Sequence, residues 1–302
     1  MPDTSDRVVL AGASGLIGTA LADALRADGV PVTRLVRREA TAADEVSWAP
    51  ETGGLDESVL AGARAVVSLG GASVGRFPWS ASYKQQLRRS RLEPTETLAA
   101  ALLRLGAGAP AFVSASAVGY YGSEPGRVLT ESSAAGDTFL ARLCVDWEAA
   151  AAAAASVTRV ALLRTAPVVH RDGVLKPLIL LTRFGLGGPI GRGTQSWPWI
   201  SLEDEVRAIR AVIDGEISGP VNLTGPTRAT ANDLGFALAR RMNRPFLLRA
   251  PAWAMRLVLG ADATDALLTS DADVRPQALL DAGFTFTHPT VEDAVAAAVP
   301  AA

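Results

Sequence analysis

Near the start of the chain, a glycine-rich turn has the composition of an anion-binding site. It reads Gly12-Ala13-Ser14-Gly15-Leu16-Ile17-Gly18, with its glycines spaced GxxGxxG. In such a turn the first glycine permits a tight bend, the second admits a ligand close to the backbone, and the third allows close packing of helix on strand. Free N–H groups and the helix dipole attract an anion there. The turn predicts a site for the pyrophosphate of a dinucleotide, the alternative being a tight turn without ligand.

Two adjacent arginines, Arg37 and Arg38, indicate which dinucleotide binds. An NAD site places an acid roughly twenty residues after the glycines, where it bonds the ribose 2′-hydroxyl. Here the second apolar run ends Val36-Arg37-Arg38, and the first acid is Glu39. A guanidinium pairs with a 2′-phosphate through charge-assisted bonds, whereas an acid repels it. We therefore predict NADP(H) as the cofactor, bound in part by Arg37 and Arg38. The alternative is two solvated arginines at a strand end.

Apolar patterning around the turn predicts the strands and helices that position it. Val8 to Ala11 is a short apolar run, residues 16–27 carry apolar side chains at helical spacing, and residues 30–36 form a second apolar run. Strand, turn, helix and strand make a βαβ unit. The same alternation predicts strands over 64–69, 111–116, 160–164 and 220–223 and helices over 80–105, 138–155 and 203–213. Together they indicate an α/β fold with a doubly wound parallel sheet of the Rossmann type.

After about residue 170 this alternation ends. Residues 184–193 hold five glycines and a proline, which predicts a mobile loop anchored by Trp197 and Trp199. From Thr230 onward the pattern is mostly helical, with one apolar strand predicted over 246–249. We therefore expect two parts. The predicted domains are an NADP(H)-binding domain over 1–170, to which 201–225 return, and a smaller substrate-side lobe formed by 171–200 and 226–302.

The composition excludes several classes of protein. The chain has 302 residues and a formal net charge of −2, so it lacks the basic excess of a nucleic-acid-binding or anionic-membrane-binding protein. One cysteine and two histidines exclude an intramolecular disulfide and argue against a metal site. The segment Met1 to Asp6 has no apolar signal core, and no apolar run reaches membrane-spanning length. We expect a cytoplasmic protein, and the composition does not determine its oligomeric state.

Several segments together carry a resemblance to a known family. They are the glycine turn, Ser114-Ala115-Ser116, Gly119-Tyr120-Tyr121-Gly122, Trp199 to Asp204, Ser90 to Thr95, Phe139 to Ala141, Trp147-Glu148 and Gly185 to Gln195. The chain resembles the extended short-chain dehydrogenase/reductases, and more narrowly their atypical "epimerase family" branch, also labelled SulA-homologue or NAD-dependent epimerase/dehydratase-like. Pro251 to Phe286 resembles the small C-terminal domain of unknown function in that branch, expected at about 249–298. The resemblance covers nearly the whole chain and implies a Rossmann sheet with a smaller, mostly helical C-terminal lobe.

The resemblance implies further cofactor contacts at Leu69, Gly70, Gln86, Arg91 and Val168. The first two replace a turn beneath the adenine side, where the broad family has Asn-x-Ala-Gly. Because the asparagine is missing here, the resemblance supports only the backbone passage at that point. Gln86 and Arg91 lie on a long predicted helix that reaches toward the cofactor, and Val168 follows the strand end near the nicotinamide. For Arg91, a solvated helix charge is the alternative.

The resemblance also implies a catalytic apparatus that is incomplete here. Short-chain dehydrogenases use a tyrosine to exchange the substrate proton, a lysine four residues later to lower the pKa of that tyrosine, and a serine to orient the carbonyl. The residues four positions after Tyr83, Tyr120 and Tyr121 are Leu87, Glu124 and Pro125. No Tyr-x-x-x-Lys pair exists. Alignment of the downstream helix on Glu148 places Leu140 and Cys144 where the tyrosine and lysine are expected.

Ser116 and Tyr120 remain as candidate catalytic residues. Ser116 lies near the expected serine position, and Tyr120 follows it closely enough to serve as an acid. An unaided tyrosine keeps a pKa near ~10 and is a poor base at neutral pH. The alternative is that Tyr120 and Tyr121 only line the site. We interpret Cys144, His170 and His288 as structural residues.

Two functions of different classes follow. The first is an NADP(H)-dependent oxidoreductase or epimerase-like enzyme, acting on an unknown small polar substrate beneath the Gly185–Gly193 loop. The second is a catalytically silent NADP(H)-binding sensor or regulatory protein, which the missing Tyr/Lys pair favours. A full sugar-nucleotide epimerase requires a proton relay that the sequence lacks. Fold alone does not decide between these functions.

Overall fold

Parallel strands and their connecting helices account for most of residues 6–301, the part of the chain that this computed structural model describes. The strands are β1 (Val8–Ala11), β2 (Val32–Val36), β3 (Glu45–Ser47), β4 (Ala65–Ser68), β5 (Ala111–Ala117), β6 (Val128–Leu129), β7 (Val160–Thr165), β8 (Val168–Val169), β9 (Ile200–Ser201), β10 (Gly219–Leu223) and β11 (Asp273–Val274). The helices are α1 (Leu16–Ala27), α2 (Ala81–Leu105), α3 (Phe139–Ala152), α4 (Leu175–Arg183), α5 (Leu202–Asp214), α6 (Ala231–Arg241), α7 (Ala252–Leu259), α8 (Ala261–Leu267), α9 (Gln277–Asp281) and α10 (Val291–Ala298).

Seven strands form one parallel sheet in the order β10-β7-β5-β4-β1-β2-β3. The chain runs outward from β1 to β2 and β3, then crosses back to β4 on the other side of β1. This reversal opens a crevice at the carboxyl ends of β1 and β4, the place where doubly wound sheets bind their ligands. Ala11 of β1 pairs with Ser68 of β4, and Ala117 of β5 pairs with Thr165 of β7. The predicted glycine turn and Ser116 therefore lie at one edge of the sheet.

Helices cover both faces of the sheet, each through an apolar layer. On one face α1 and α5 pack on the strands, with Leu21 and Ile209 fully buried. On the other face α2 and α3 do so, with Leu98 and Ala151 fully buried. Burial of both faces explains why the strands read as continuous apolar runs. The predicted doubly wound α/β sheet of the Rossmann type is confirmed.

Polar residues fix where the long helices begin. Ser80 before α2, Thr138 before α3 and Ser201 before α5 each accept a hydrogen bond from a backbone amide in the first turn. Such N-caps satisfy donors that have no intrahelical partner. The predicted starts at 80, 138 and 203 fall within one or two residues of these caps.

The C-terminal helices take part in a third apolar cluster beside the sheet. Trp197 and Trp199 are buried there against α4, α6 and α10. Helix α8 instead packs on the Rossmann helices, because Ala263 is buried against Tyr83 of α2 and Leu140 of α3. The division into two lobes at the predicted boundaries stays a prediction. Over residues 6–301, no helix is long and apolar enough to cross a bilayer.

The prediction of a strand over 246–249 is wrong. This segment runs beside the glycine-rich loop, where Leu247 and Leu248 both donate their amides to the Gly187 carbonyl oxygen. A single bridge joins Ile190 to Ala250. No ladder continues from it, because the glycines and the proline of the loop cannot supply a regular partner strand. Helix α4, strand β3 and the two-residue strands were not predicted, since short segments give little periodic signal.

Candidate functional site

The glycine turn joins β1 to α1 and packs directly on the end of β4. Gly12 has φ +86°, a left-handed conformation that side chains rarely allow. A Cβ atom at Gly12 would lie 2.8 Å from the Gly70 nitrogen, and one at Gly18 would lie 2.2 Å from the Gly12 carbonyl oxygen. The turn can therefore close only with glycine at both positions. This packing places Leu69 and Gly70, two of the predicted cofactor residues, beside the turn.

The first turn of α1 leaves backbone amides available to an anion. Ser14 and Gly15 are exposed, and Gly15 at the N-cap provides no side-chain acceptor. The bond from the Thr19 amide to the Gly15 carbonyl oxygen is the first of the helical ladder. The amides of Leu16 and Ile17 have no acceptor among residues 6–301. With no acid in this turn to neutralise the helix dipole, the residues present fit a pyrophosphate.

Arg37 and Arg38 have different surroundings. Arg38 forms a two-pronged ion pair with Glu45 of β3, at 2.8 Å from Nη1 to Oε2 and 2.7 Å from Nη2 to Oε1. The Glu45 side chain is 2% exposed, also accepts the Thr41 amide, and lies 3.3 Å from Arg34. The hydrogen bond from Arg38 is the main cause that lowers the pKa of Glu45 to about 2. Arg37 is exposed and pairs with no other described residue, so its guanidinium is available to a phosphate.

Arg91 is a partly buried cation near the end of β4. Its Nη1 donates to the Leu87 carbonyl oxygen and its Nη2 to the Ala72 carbonyl oxygen. The guanidinium also lies 5.2 Å from the Trp147 ring centre. Burial lowers the pKa of Arg91, and within the described ranges no carboxylate pairs with it. These contacts argue against the alternative of a solvated helix charge and leave part of the guanidinium open to an anionic ligand.

Val168 and Gln86 differ in how the fold places them. Val168 pairs with Ile200 across β8 and β9, and its carbonyl oxygen accepts the Val174 amide. The turn that follows approaches α1, since a Cβ at Gly173 would lie 3.3 Å from a Leu16 methyl group. Val168 therefore lies near the glycine turn. Gln86 is exposed on α2, and its side chain makes no hydrogen bond with the part of the chain described. Nothing in the protein itself orients it toward the turn.

Ser116 belongs to a buried polar cluster at the end of β5. Its Oγ donates to Glu148 Oε1 at 2.6 Å. Glu148 of α3 forms a two-pronged ion pair with Arg164 of β7, at 2.8 Å from Nε to Oε1 and 2.9 Å from Nη2 to Oε2. Burial by itself lowers the pKa of Arg164, but the bonds to Glu148 and to Tyr121 raise it overall. All three side chains of the cluster are less than a tenth exposed.

The two adjacent tyrosines have separate surroundings. Tyr121 is fully buried; its hydroxyl donates to Asn222 at 2.7 Å and accepts from Arg164 at 2.9 Å. Burial raises the pKa of Tyr121 to about 12, which makes it a structural group. Tyr120 lies with its ring under the Arg164 guanidinium, 3.5 Å from the ring centre. Its hydroxyl has no hydrogen-bond partner in residues 6–301 and is open to a ligand.

The residues aligned with the missing tyrosine and lysine are Leu140 and Cys144. Both side chains are buried in apolar surroundings. Leu140 packs against Gly119 and belongs to an apolar cluster with Ala263 of α8. The Cys144 thiol lies 3.6 Å from the Ala117 carbonyl oxygen. Burial raises the pKa of Cys144 to about 11, so a thiolate is scarce at neutral pH. The interpretation of Cys144 as a packing residue fits these surroundings.

Glu205 in the first turn of α5 is a buried acid that the sequence did not single out. It is fully buried; Oε1 accepts the Thr165 hydroxyl at 2.9 Å, and Oε2 has no partner in the described chain. Burial raises the pKa of Glu205 to about 8, although the bond from Thr165 opposes the shift. Glu148 and Arg164 were likewise not assigned chemical roles. The sequence does contain one signal for this pair: Arg164 is a charge inside the apolar run from Val160 to Thr165, and a buried charge requires a buried partner.

The Gly185–Gly193 loop forms one wall of an apolar cavity of about 70 Å³. Leu178 of α4, Leu234 of α6 and Phe246 form other walls. This cavity lies between the loop and helices α4 and α6, and its lining includes neither the glycine turn nor Ser116. The prediction that the loop covers a substrate at the sheet edge therefore stays a prediction.

Comparison with known protein sequences gives matches over nearly the whole chain. The chain is 46% identical to an epimerase family protein of Mycobacterium leprae, over 95% of this chain and 94% of that protein. It is 32% identical to the epimerase family protein SDR39U1 of Bos taurus, over 94% of this chain and 96% of that protein.

Comparison with solved structures gives two informative neighbours. The crystal structure of human epimerase family protein SDR39U1 (isoform 2) with NADPH has a TM-score of 0.88 and 29% identity, covering 97% of this chain and 98% of that chain. A nucleoside-diphosphate sugar epimerase from Corynebacterium glutamicum has a TM-score of 0.78 and 33% identity, covering 97% of this chain and 57% of that chain.

Two family models match separate parts of the chain. A model of a domain of unknown function matches residues 250–298, within the C-terminal helices. The model of the NAD dependent epimerase/dehydratase family matches residues 8–223, which hold the whole parallel sheet and the glycine turn. The resemblance stated from the sequence is confirmed. The chain belongs to the NAD dependent epimerase/dehydratase family.

Proposed function

We propose that this chain is an NADP(H)-dependent oxidoreductase or epimerase-like enzyme that acts on a small polar substrate. The observation that carries the proposal is the meeting of two features at one edge of the sheet. The amides of Leu16 and Ile17, which have no acceptor among residues 6–301, lie there, and so do Ser116 and Tyr120. These amides would hold the pyrophosphate of a dinucleotide, and Ser116 and Tyr120 would be available to its substrate. The similarity to a relative solved with NADPH supports the same cofactor.

The chain's own residues divide the binding of this cofactor among them. The amides of Leu16 and Ile17 bind the pyrophosphate, and Arg37, with Arg38 as a second candidate, binds the 2′-phosphate. Leu69 and Gly70 would pass beneath the adenine side, Arg91 on α2 would reach toward the cofactor, and Val168 would lie near the nicotinamide. Gln86 belongs to the same set, although the chain does not orient it. When bound, the nicotinamide supplies hydride transfer.

Ser116 and Tyr120 are the residues proposed to contact the substrate. Ser116 Oγ is held in place by Glu148 and lies near the carboxyl end of strand β5. The Tyr120 hydroxyl is open to exchange a proton with the reacting oxygen, and the positive charge of Arg164 lies over its ring. The Gly185–Gly193 loop is proposed to exclude water when the substrate is bound. A cytoplasmic location belongs to this proposal, which the single free cysteine favours.

A second candidate function, a catalytically silent NADP(H)-binding sensor, is favoured by one observation. The positions of the family tyrosine and lysine hold Leu140 and Cys144, and both side chains are buried in apolar surroundings. A sensor needs the cofactor site and no proton exchange. The two functions therefore share the glycine turn and differ in whether Ser116 and Tyr120 affect turnover.

Turnover measurements distinguish these functions. NADPH oxidation and NADP⁺ reduction are measured with a panel of small carbonyl and hydroxyl compounds, for the wild type, Ser116→Ala and Tyr120→Phe. We expect each variant to lose about 100-fold in kcat, the usual scale for a proton-transfer or oxyanion contact. Ser114→Ala is the matched control, because Ser114 lies two residues earlier on β5 and bonds only to the adjacent Ala115 carbonyl oxygen.

Two results would contradict this proposal in different ways. Tight NADPH binding with no turnover on any compound of the panel would favour the sensor. Turnover that persists unchanged in both Ser116→Ala and Tyr120→Phe would remove these residues from the reaction.

A further inference from the structure

Two stretches of the chain hold an uneven share of its charge. Residues 173–202 and 234–261 contain eight of the 29 basic residues and none of the 31 acids, so the rest of the chain carries a net charge of −10. The overall charge of −2, which gave no reason to expect a membrane partner, averages over these parts. It therefore conceals a local basic excess, and local charge is what an approaching surface meets.

The same two stretches hold the most exposed apolar side chains. Within residues 6–301, five large apolar side chains are at least 67% exposed, namely Phe184, Leu247, Trp253, Leu257 and Val258. None of the eight residues of α7 is buried, although seven of them are apolar. A helix that is apolar on all sides is normally buried, and a contiguous exposed apolar patch marks an interaction surface.

Backbone hydrogen bonds bring these side chains next to each other. The amides of Leu247 and Leu248 both donate to the Gly187 carbonyl oxygen. The segment after α6 therefore runs beside the loop that follows α4, and α7 begins four residues after Leu248. Phe184, residues 247–249 and α7 together form what is called here the apolar face.

Arginines without acidic partners border the apolar face. Arg183 ends α4, and Arg244 donates to its carbonyl oxygen at 3.3 Å, while Arg249 belongs to the face itself. All three side chains are exposed, and none of them pairs with a carboxylate among residues 6–301. Arg256 of α7, in contrast, pairs with Asp265 at 2.9 Å. The face therefore combines protruding apolar groups with free positive charge.

We propose that the apolar face docks this protein on a membrane surface that contains anionic lipids. The apolar side chains of α7 enter the boundary between headgroups and acyl chains, and the three free arginines meet the lipid phosphates. Charge complementarity carries the choice of occupant, because a bordering ring of cations attracts an anionic surface. The inference is independent of the proposed function, since docking requires neither cofactor nor turnover.

The same observations disfavour a second copy of the chain as the occupant. A two-fold contact through this face would set the same arginines close to each other, and like charges across an interface are unfavourable. Side chains that protrude as far as Leu247 and Leu257 also suit a fluid bilayer, which needs no matching pockets.

Trp253 reports on docking without any label. It is 67% exposed, whereas the other five tryptophans are at most 8% exposed. The wild type is mixed with vesicles of phosphatidylcholine alone, or of equal amounts of phosphatidylcholine and phosphatidylserine, with and without bromine on the acyl chains. We expect the protein to sediment only with the mixed vesicles and less so as salt is raised. Brominated chains should then quench the fluorescence of Trp253.

Two variants separate the apolar and the charged contributions. Trp253→Ala should weaken binding to the mixed vesicles at least about tenfold, the scale of burying one large apolar side chain. The double variant Arg244→Gln/Arg249→Gln should weaken it about 25-fold, because each cation near anionic lipid contributes about fivefold. Arg142→Gln is the control for charge, since this exposed arginine of α3 also bonds only to a backbone carbonyl oxygen. Val128→Ala, at an apolar residue that is 60% exposed outside the face, is the control for apolar contact.

Four results overturn the inference. A wild type that ignores both kinds of vesicle leaves a protein partner as the occupant. Equal binding to both kinds shows that anionic lipid is not recognised, and sedimentation without quenching of Trp253 shows that another surface binds. Protection of Trp253 from iodide as the protein concentration rises, without lipid, identifies a second copy as the occupant. Because the quenching experiments use the wild type alone, they hold even where a variant does not fold.

Discussion

Arg37 and Arg38 show that adjacent side chains of one type can have different roles. Both are exposed, yet Arg38 uses one edge of its guanidinium on Glu45, whereas Arg37 has no partner over residues 6–301. A 2′-phosphate can therefore bind Arg37 without displacing an existing ion pair. We expect most of the preference for NADPH over NADH to reside in Arg37.

Charge reversal at Arg37 tests this expectation. Arg37→Asp should weaken NADPH binding at least about tenfold while changing NADH binding little, because only NADPH carries the repelled phosphate. Titration calorimetry with both cofactors measures the ratio. Arg249→Asp, an equal change of charge at an exposed residue near α7, is the control and should leave the ratio unchanged. A wild type with equal affinity for both cofactors would contradict the assignment.

Glu205 predicts a dependence of stability on pH. Its pKa is raised to about 8 in the folded chain, from an ordinary value of 4.5. Between these values the folded state keeps a proton that the unfolded state has lost, so the free energy of unfolding falls as the pH rises through this window. The stabilising contribution is complete below pH 4.5 and lost above pH 8.

Glu205→Gln removes this titration. The variant should match the wild type near pH 4 and exceed it above pH 8 by about 5 kcal/mol, since each unit between the ordinary pKa of 4.5 and the folded pKa of about 8 is worth about 1.4 kcal/mol. Urea unfolding across pH 4 to 9 measures the effect. Glu203→Gln, at an exposed position in the same turn of α5, should show no such divergence. Parallel pH profiles for Glu205→Gln and the wild type would show that Glu205 is ionised in the fold.

Among the secondary-structure elements, the junction between β1 and α1 is tightly constrained. A Cβ at Gly18 would meet the Gly12 carbonyl oxygen at 2.2 Å, although Gly18 lies inside a helix where alanine is otherwise preferred. Gly18→Ala should therefore destabilise the chain by about 1 to 3 kcal/mol, the usual range for overpacking, and weaken NADPH binding by displacing the turn.

A second glycine shows whether a loss of stability by itself weakens NADPH binding, or whether the turn must be displaced. Gly29 has φ +75° with nothing within 4 Å of its Cβ position, so Gly29→Ala carries backbone strain alone. It should cost about 1 kcal/mol and leave NADPH affinity unchanged. Thermal unfolding and NADPH titration of both variants provide the comparison. If Gly18→Ala proves as stable as the wild type, the close approach of α1 to the turn is incorrect.

The order and type of these elements could be predicted because their signals are local. Residues 8–36 carry strand, turn, helix and strand within a short stretch, and the buried parallel strands are mostly apolar. The segment 246–249 was wrongly predicted to be a strand. Phe246 to Leu248 is apolar because it packs on the glycine-rich loop, not because it lies in a sheet. An apolar run of four residues does not reveal whether its partner is a strand.

The candidate site could be predicted only in part. The glycine turn, Ser116 and Tyr120 carry their own signal in the sequence. The bond from Ser116 to Glu148 joins residues 32 positions apart, and the bond from Tyr121 to Asn222 joins residues 101 positions apart. Sequence spacing says nothing about such pairs, so these two hydrogen bonds are seen only in the folded chain.

At the scale of the whole molecule, a buried acid on α5 attaches the C-terminal segment through hydrogen bonds. Asp204 is 1% exposed and accepts the backbone amides of Thr287 at 2.7 Å and His288 at 2.9 Å, as well as a bond from Arg207. His288 Nδ1 also lies 3.0 Å from the Ser201 hydroxyl. These contacts fit the structural interpretation of His288 and hold the chain just before α10.

Asp204→Ala should release this segment. Loss of the carboxylate leaves buried donors unsatisfied, at a cost of about 2 to 4 kcal/mol. Hydrogen exchange should accelerate over 285–299 before it does in β1 or β5. Asp293→Ala in the capping box of α10 removes an exposed carboxylate nearby and should show a smaller, local effect. Uniform acceleration over the whole chain would mean that Asp204 supports global stability rather than this attachment.

The central claim is that the amides opening α1 bind the pyrophosphate of NADP(H). Amide resonances of ¹⁵N-labelled protein, recorded before and after saturation with NADPH, test it most directly. We expect the Leu16 and Ile17 amide protons to shift downfield, because they gain an anionic acceptor, while the Gly15 amide, already bonded to Gly12, moves less. Saturation with NADPH that leaves the Leu16 and Ile17 resonances in place would contradict the account, as would the absence of binding.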